Sequence, residues 1–266
     1  MLPDFVSGGR PTSDLAIVRR LFEGDIALGR VFSRAEERPW GILFANPANP
    51  EHHDANKAYV LSDIGLAAEA VIDELTSFYH GRGLTPRVNV TPFCDQSDVA
   101  GRLRRRGFEV TASRVRVMVW DGGSPAALAP ALPAGVTIEP AGPADLEALA
   151  RVRAEANGWD SGWVKRQLAH QLEQAGLRYF LASVDGEPAA CACLVELTGP
   201  QRLEYVATRP ALQRRGLASA VVGRIQREAV GPLILGCVDD GAERLYARAG
   251  FTVRAEYSEV GAWLEP

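Results

Sequence analysis

The 266-residue chain has few of the features that mark disulfide-bonded, secreted or membrane-spanning proteins. Its four cysteines are too few for a disulfide framework in a chain of this length. No apolar stretch approaches the ~18 residues that a membrane helix needs. The first residues form neither a basic segment nor an apolar one, so we expect no signal peptide, no membrane partner and a cytoplasmic protein.

An excess of positive charge is also missing. Residues 1–121 carry 15 Lys and Arg against 16 Asp and Glu, and residues 122–266 carry 14 against 17. Because binding to phosphate backbones needs clustered positive charge, we expect no nucleic-acid partner. Hydrophobic residues make up 47% and charged residues 23%, which are ordinary values for a globular protein and exclude a chain disordered throughout.

The composition changes near the middle of the chain. Residues 122–135 are rich in Pro, Gly and Ala and carry no charge, which is typical of a spacer between two cores. We therefore expect domains at 1–121 and 136–266 with a linker at 122–135.

The second half shows alternating strand and helix patterns. The predicted order is a strand at 136–141, helices at 143–157 and 162–174, a hairpin of 179–184 with 189–197, a strand at 203–208, a helix at 215–229, a strand at 233–238, a helix at 242–249 and a terminal strand pair within 251–263. This order predicts an α/β fold of the α+β kind, with a mixed sheet flanked by helices.

The end of the first half resembles the end of the second. A helix at 71–79, a strand at 87–90 and a helix at 97–106 lead into Gly107-Phe108, as the later elements lead into Gly250-Phe251. The two phrases are offset by 143 residues, with Leu103 at the position of Tyr246. We interpret the halves as a diverged tandem repeat.

One segment has the pattern of a diphosphate-binding loop. The strand at 203–208 leads through Pro210 into Gln213-Arg214-Arg215-Gly216-Leu217-Ala218-Ser219, which opens a helix. The first turn of a helix has N–H groups without intrahelical partners and the positive end of the helix dipole. Gly216 and Ala218 allow a bulky anion to approach that backbone, and Arg214 and Arg215 add positive charge.

Two motifs in this half resemble those of the GNAT superfamily of N-acetyltransferases. Gln213-x-x-Gly216-x-Ala218 resembles its Q-x-x-G-x-A loop, and residues 245–251 resemble its L-Y-x-x-x-G-F segment. The resemblance covers residues 136–266 and implies two GNAT-like acyl-CoA N-acyltransferase domains in tandem. The first half resembles a degenerate copy, because it has Leu103 in place of the tyrosine and no Q-x-x-G-x-A loop.

The resemblance implies acetyl-CoA as cosubstrate and no metal. Its pyrophosphate is expected on the backbone of the loop residues, which are Gln213, Arg214, Arg215, Gly216, Leu217, Ala218 and Ser219. Its pantetheine arm is expected along Val206, Ala207 and Thr208, where the family commonly has Val at the last position.

The resemblance also implies how the transfer proceeds. Tyr246 matches the family tyrosine that protonates the departing CoA thiolate, and Glu204 is the carboxylate best placed to take a proton from the acceptor. The expected reaction is direct transfer of acetyl, in a ternary complex, to a primary amine of a small molecule or to a peptide N-terminus.

Several alternatives stay open from the sequence. The protein is otherwise a CoA-binding regulatory module without catalysis, or an acyltransferase that uses a longer chain or a thiol or hydroxyl acceptor. A homodimer is compatible with the sequence. Tyr246 also fits a ring packed under Phe251, Glu204 fits a salt-bridge partner, and Asp239 fits a helix N-cap. Trp159 and Trp163 fit either an acceptor pocket or core packing.

Overall fold

The computed structural model describes residues 14–123, 135–197 and 199–265, so most of the predicted linker lies outside the described residues. The described chain forms two compact units. The first contains residues 32–115 and 256–265, and the second contains residues 14–31 and 116–255. This division differs from the expected boundaries at 121 and 136. The first helix comes early in the chain but belongs to the second unit, and each of two long strands has one part in each unit.

Six strands and two helices make up most of the first unit. They are β1 (Arg34–Arg38), β2 (Gly41–Ala45), β3 (Ala58–Val60), α2 (Ala68–His80), β4 (Arg87–Val90), α3 (Gln96–Arg105), the beginning of β5 (Glu109–Trp120) and the end of β11 (Thr252–Trp263). The strand order is β1-β2-β3-β4-β11-β5. Apolar side chains of α2 and α3, including Leu75 and Leu103, pack with Val88, Val90 and Val260 to form its core.

The second unit begins with helix α1 (Leu15–Phe32), which belongs to it up to Val31. Its other elements are β6 (Val136–Ala141), α4 (Leu146–Asn157), α5 (Ser161–Gln171), β7 (Leu177–Val184), β8 (Glu187–Val195), β9 (Gln201–Thr208), α6 (Leu217–Glu228), β10 (Leu233–Cys237) and α7 (Asp240–Arg248). The strand order is β5-β10-β9-β8-β7-β6. Residues of α6 such as Val221 and Ile225 pack on Phe180 and Leu235 of the sheet.

The predicted α/β class with a mixed sheet is confirmed, since β9 and β10 run parallel while the other pairs in this unit are antiparallel. The hairpin turn is confirmed at Asp185-Gly186, where both residues have positive φ. The predicted terminal strand pair is wrong. Residues 252–263 form one strand, β11, with its early part in the second unit and its end, from Glu256, in the first.

The four cysteines are free thiols. Over the residues that the structure describes, no helix is both long and apolar enough to cross a membrane.

Candidate active site

Strands β9 and β10 pair over only a short length. In the described part of the chain, the parallel register joins Gln201 to Leu233 and Arg202 to Ile234 and goes no further. The other edge of β9 stays paired with β8 as far as Thr208. The β10-side backbone of residues 203–208 is therefore available to an extended ligand, as the edge of a sheet is to an added strand.

A β-bulge accounts for the divergence of the two strands. Cys193 lies opposite Glu204, whereas Cys191 lies opposite Ala207, so β9 has one more residue than β8 over this stretch. Tyr205 lies in the bulge and has φ of 55°, a left-handed conformation that costs a non-glycine residue about 1–2 kcal/mol. A bulge bends its strand and increases the local twist, which separates β9 from β10.

Buried polar groups hold Tyr205 in this conformation. Gln171 Nε2 donates a hydrogen bond to the Tyr205 hydroxyl at 2.9 Å. The Tyr205 ring stacks on the Tyr179 ring with centroids 6.0 Å apart, and the guanidinium carbon of Arg153 lies over the Tyr205 ring, 4.2 Å from its centroid. Arg153 also donates to Gln167 Oε1 at 2.8 Å. These contacts offset the backbone strain, and no sequence motif indicates them.

The loop after β9 presents its backbone to solvent. Arg214 has φ of 59° and Gly216 φ of 80°, and Gly216 is the N-cap of α6 without a side-chain hydrogen bond to the helix. A Cβ atom on Gly216 would meet no atom within 4 Å. Arg214 and Arg215 are exposed, and neither forms an ion pair with a carboxylate in the described residues. The first turn of α6 thus combines uncapped N–H groups with two available cations.

The last residues of β9 contain an unsatisfied polar atom. The Thr208 hydroxyl is buried and has no hydrogen-bond partner in the described part of the chain. The backbone carbonyl oxygen of Thr208 accepts a hydrogen bond from Gln213 Nε2 at 3.3 Å. Of its neighbours, Ala207 is buried opposite Cys191, and Val206 packs against the core.

Tyr246 lies on α7, where the structure supports two of the sequence alternatives. Asp239 is the N-cap of α7, since its Oδ1 accepts a hydrogen bond from the Ala242 N–H at 2.8 Å. The Tyr246 ring lies edge-on to Phe251 with centroids 5.8 Å apart. Burial raises the pKa of Tyr246 well above its usual value, and the charges of Cys237 and Glu204 raise it further. Tyr246 therefore keeps its proton at neutral pH.

Glu204 takes part in a largely buried ion-pair network. Its Oε1 accepts hydrogen bonds from Arg202 Nη2 at 2.5 Å and Nε at 3.0 Å. Arg202 also donates to the carbonyl oxygen of Leu21 and to Asp25, both on α1 and both at 2.7 Å. Burial lowers the pKa of Arg202, but Glu204 and Asp25 outweigh that effect and raise it. The salt-bridge interpretation of Glu204 is thus correct, and it leaves room for a second role.

The contacts of helix α1 with Arg202 were not predicted from the sequence. Gly24 allows the close approach, because a Cβ atom there would overlap the Arg202 guanidinium. The sequence signal is weak, because it consists of one glycine and one aspartate, and the aspartate lies 177 residues before Arg202.

A cavity of 770 Å³ lies along α4 and the start of α5. Trp159 lines it and is 44% exposed, while Trp163 packs on Trp159 at 4.9 Å. The charged residues around it include three carboxylates and two cations, namely Glu147, Glu155, Asp160, Arg151 and Lys165. Among the described residues, no group of three His, Cys, Asp or Glu side chains is arranged to hold a metal ion.

Residues 146–251, which include β9, the loop and Tyr246, match the sequence profile described as Acetyltransferase (GNAT) family. Acyl transfer is the general reaction of that family. A comparison with curated proteins gave no match.

Solved structures share the fold over nearly the whole chain. A GCN5-related N-acetyltransferase from Kribbella flavida aligns with a TM-score of 0.69 at 20% identity, covering 96% of this chain and 97% of that one. A protein of unknown function from Staphylococcus epidermidis aligns with a TM-score of 0.68 at 14% identity, covering 88% and 95%. A tandem GNAT protein from the clavulanic acid biosynthesis pathway aligns with a TM-score of 0.56 at 17% identity, covering 88% and 82%.

Proposed function

We propose that this protein transfers an acetyl group from acetyl-CoA to a primary amine of a small molecule or to a peptide N-terminus, since residues 146–251 match the sequence profile of the GNAT acetyltransferase family. The observation that carries the proposal is the end of β9–β10 pairing at Arg202, directly before the bulge and the uncapped helix.

The residues of this site fit acetyl-CoA. Accessible N–H groups at the first turn of α6, with Arg214 and Arg215 beside them, suit a pyrophosphate. The unpaired edge of β9 suits the amide-containing pantetheine arm. The buried Thr208 hydroxyl also needs a hydrogen-bond partner, which such an arm supplies.

The chemistry assigned to the protein is positioning and proton transfer. The acceptor nitrogen attacks the thioester carbonyl, the new C–N bond forms, and the C–S bond breaks. A backbone N–H of β9 stabilises the oxyanion, and Tyr246 donates its proton to the departing thiolate. Glu204, directly or through water, takes the proton that the amine loses. Holding amine and thioester together supplies much of the rate enhancement without a covalent enzyme intermediate.

The acceptor is proposed to be a small cationic or neutral amine. The net charge of −4 supports this class, because an acidic protein surface attracts positively charged ligands.

The first unit is proposed to be a degenerate GNAT-like domain with a structural or substrate-shaping role. Leu103 is fully buried in its core, so no acid group occupies the position that corresponds to Tyr246. We retain the linker at 122–135 as part of this proposal, while the tandem arrangement rests on the internal sequence match and on the fold likeness to a tandem GNAT protein.

A second candidate is a CoA-binding regulatory module without catalysis. The ion pair of Glu204 with Arg202 favours it, because a carboxylate held in a salt bridge is a weaker base. Transfer of a longer acyl chain, or transfer to a thiol or hydroxyl, is a third alternative. A screen of amines, thiols and alcohols that measures CoA release separates these candidates. If none of the acceptors causes CoA release, the regulatory module is the candidate that remains.

Calorimetry tests cofactor binding directly. We expect one acetyl-CoA per chain and loss of measurable binding in Gly216→Trp, because the indole would block the first turn of α6 and the residue would be strained at positive φ. Gly186→Trp, at positive φ in the β7–β8 turn with open space around it, is the matched control and should bind normally. Absence of binding by the parent protein would contradict the proposal, and two sites per chain would contradict the degenerate first unit.

A further inference from the structure

The first unit has a small polar cavity that the proposed reaction does not use. It has a volume of 250 Å³ and lies on β4, β5 and β11, beside the short turn His53–Ala55 and Lys57. Pockets for drug-sized ligands measure about 300–1,000 Å³, so this cavity suits a ligand nearer the size of an amino acid.

Alternation along the strands makes the cavity polar. Val88 and Val90 point into the core with α2 and α3, so Arg87 and Asn89 lie on the opposite face of β4. On β11, Gly261 is paired with Asn89 and therefore shares that face, as does Glu259 two residues earlier. All four of these polar-face residues line the cavity.

Asn89 has an unsatisfied acceptor in this cavity. The residue is only 5% exposed, and its Nδ2 donates a hydrogen bond to Glu259 Oε1 at 2.6 Å. Because a carboxylate oxygen accepts and does not donate, this bond fixes the orientation of the amide. Asn89 Oδ1 is then buried without a hydrogen-bond partner in the described residues, a state that costs about 1–3 kcal/mol. A ligand N–H would satisfy it.

Arg87 is a half-buried cation that forms no ion pair within the part of the chain that the structure describes. Burial lowers the pKa of Arg87 and Glu265 opposes that effect, but a guanidinium stays charged at neutral pH. The neighbouring cation, Lys57, is instead paired with Asp54 at 2.8 Å. The two carboxylates that line the cavity contact other groups, Asp54 the Lys57 ammonium and Glu259 the Asn89 amide, so a carboxylate brought by a ligand would pair with Arg87.

We propose that this cavity binds a free α-amino acid, with its carboxylate on Arg87 and its ammonium between Asn89 Oδ1 and Glu259. Arg87 and Asn89 are two residues apart on one strand, about 7 Å, so a cation and an acceptor face the same small space. A zwitterion is the ligand class that complements both. This site is independent of acetyl transfer by the second unit.

Calorimetry on the full chain without acetyl-CoA, using a panel of the common L-amino acids, tests the proposal. At least one should bind. The N-acetyl and the methyl ester forms of that amino acid should each bind at least tenfold more weakly, because one loses the ammonium and the other the carboxylate. Arg87→Gln should weaken binding at least tenfold.

Gly261→Val should also weaken binding at least tenfold. Its Cβ would make an ordinary contact of 3.5 Å with Thr111 Oγ1, and its methyl groups would fill the cavity floor. Arg104→Gln, on the exposed side of α3, is the matched control and should bind like the parent. Thermal unfolding of each variant checks its fold, and if one variant fails to fold the modified ligands decide the result.

Failure of every amino acid to bind the parent would overturn the proposal. So would equal affinity of the parent and Arg87→Gln, or equal affinity for the free and modified ligands. Displacement of the amino acid by acetyl-CoA would assign the cavity to the cofactor and also overturn it. Acetyl-CoA binding is measured separately in Arg87→Gln and should remain one per chain. Failure of the amino-acid proposal is thereby distinguished from failure of the acetyltransferase proposal.

Discussion

At the scale of the residue, two side chains of the candidate site have structural contacts beside the catalytic roles proposed for them. Tyr246 packs against Phe251 and carries a proton that burial makes hard to lose. Glu204 forms an ion pair with Arg202 and lies on the stretch of β9 that β10 does not pair. The family resemblance predicted a catalytic role for each residue. It left open whether Tyr246 packs in the core and Glu204 forms a salt bridge, because a sequence pattern does not distinguish a catalytic phenol from a core phenol.

Tyr246→Phe should lower turnover of an accepted amine by about 10²–10⁴-fold, the usual contribution of a general acid, and leave the affinity for acetyl-CoA unchanged. The raised pKa of Tyr246 also predicts that the parent keeps its acid function up to at least about pH 10, the usual value for a phenol. Steady-state kinetics across pH, together with calorimetry, measures both effects.

Tyr59→Phe, in the first unit, is the control and should leave turnover unchanged. Equal turnover by Tyr246→Phe and the parent would remove Tyr246 from the reaction.

At the scale of the element, most helices and strands follow from apolar periodicity. The predicted strand at 87–90 coincides with β4, and the predicted helices at 71–79 and 97–106 correspond to α2 and α3. The bulge in β9 could not be predicted, because Tyr205 is a residue that ordinarily favours regular strands. Its conformation results from tertiary contacts with Gln171, Tyr179 and Arg153, which are 26 to 52 residues away in the sequence.

The positive φ of Tyr205 predicts that Val and Gly at this position have the opposite order of stability from that in a regular strand. In a regular strand Val is more stabilising than Gly, but at φ of 55° a β-branched residue is strained, so Tyr205→Val should be less stable than Tyr205→Gly by about 1–2 kcal/mol. Urea unfolding gives the free energies.

Thr137, exposed in the regular strand β6, is the matched position, and there the Val variant should be the more stable one. If Val is also the better residue at position 205, the bulge does not constrain that residue.

At the scale of the whole molecule, many buried acidic groups are held in their neutral forms. Burial raises the pKa of Cys94 to about 11 and that of Cys191 to about 12, and it raises the pKa values of Tyr79, Tyr179 and Tyr246 further above their usual range. Both units contain such groups, so the free energy of unfolding of both depends on pH.

We therefore expect alkaline destabilisation. A folded pKa above the unfolded one stabilises the protein below the unfolded value, ~8.5 for thiols and ~10 for phenols, and that stabilisation is lost as pH rises toward the folded value. The free energy of unfolding should fall from about pH 9, by up to about 1.4 kcal/mol per pH unit for each group that titrates only when unfolded. Urea unfolding between pH 7 and pH 11 measures the slope.

Cys191→Ala should reduce that slope between pH 9 and pH 11, since it removes one such group. A free energy of unfolding that stays constant across this range would contradict the expectation.

The paths of β5 and β11 also bear on how the protein is made. Each strand begins in one unit and ends in the other, and α1, near the start of the chain, belongs to the second unit. During synthesis the first unit lacks its β11 segment until residues 256–265 have left the ribosome, and the second unit lacks its own β11 segment until residues 252–255 have done so. A gene cut at the linker would yield two fragments that each lack a strand segment, and those fragments should regain structure only when expressed together.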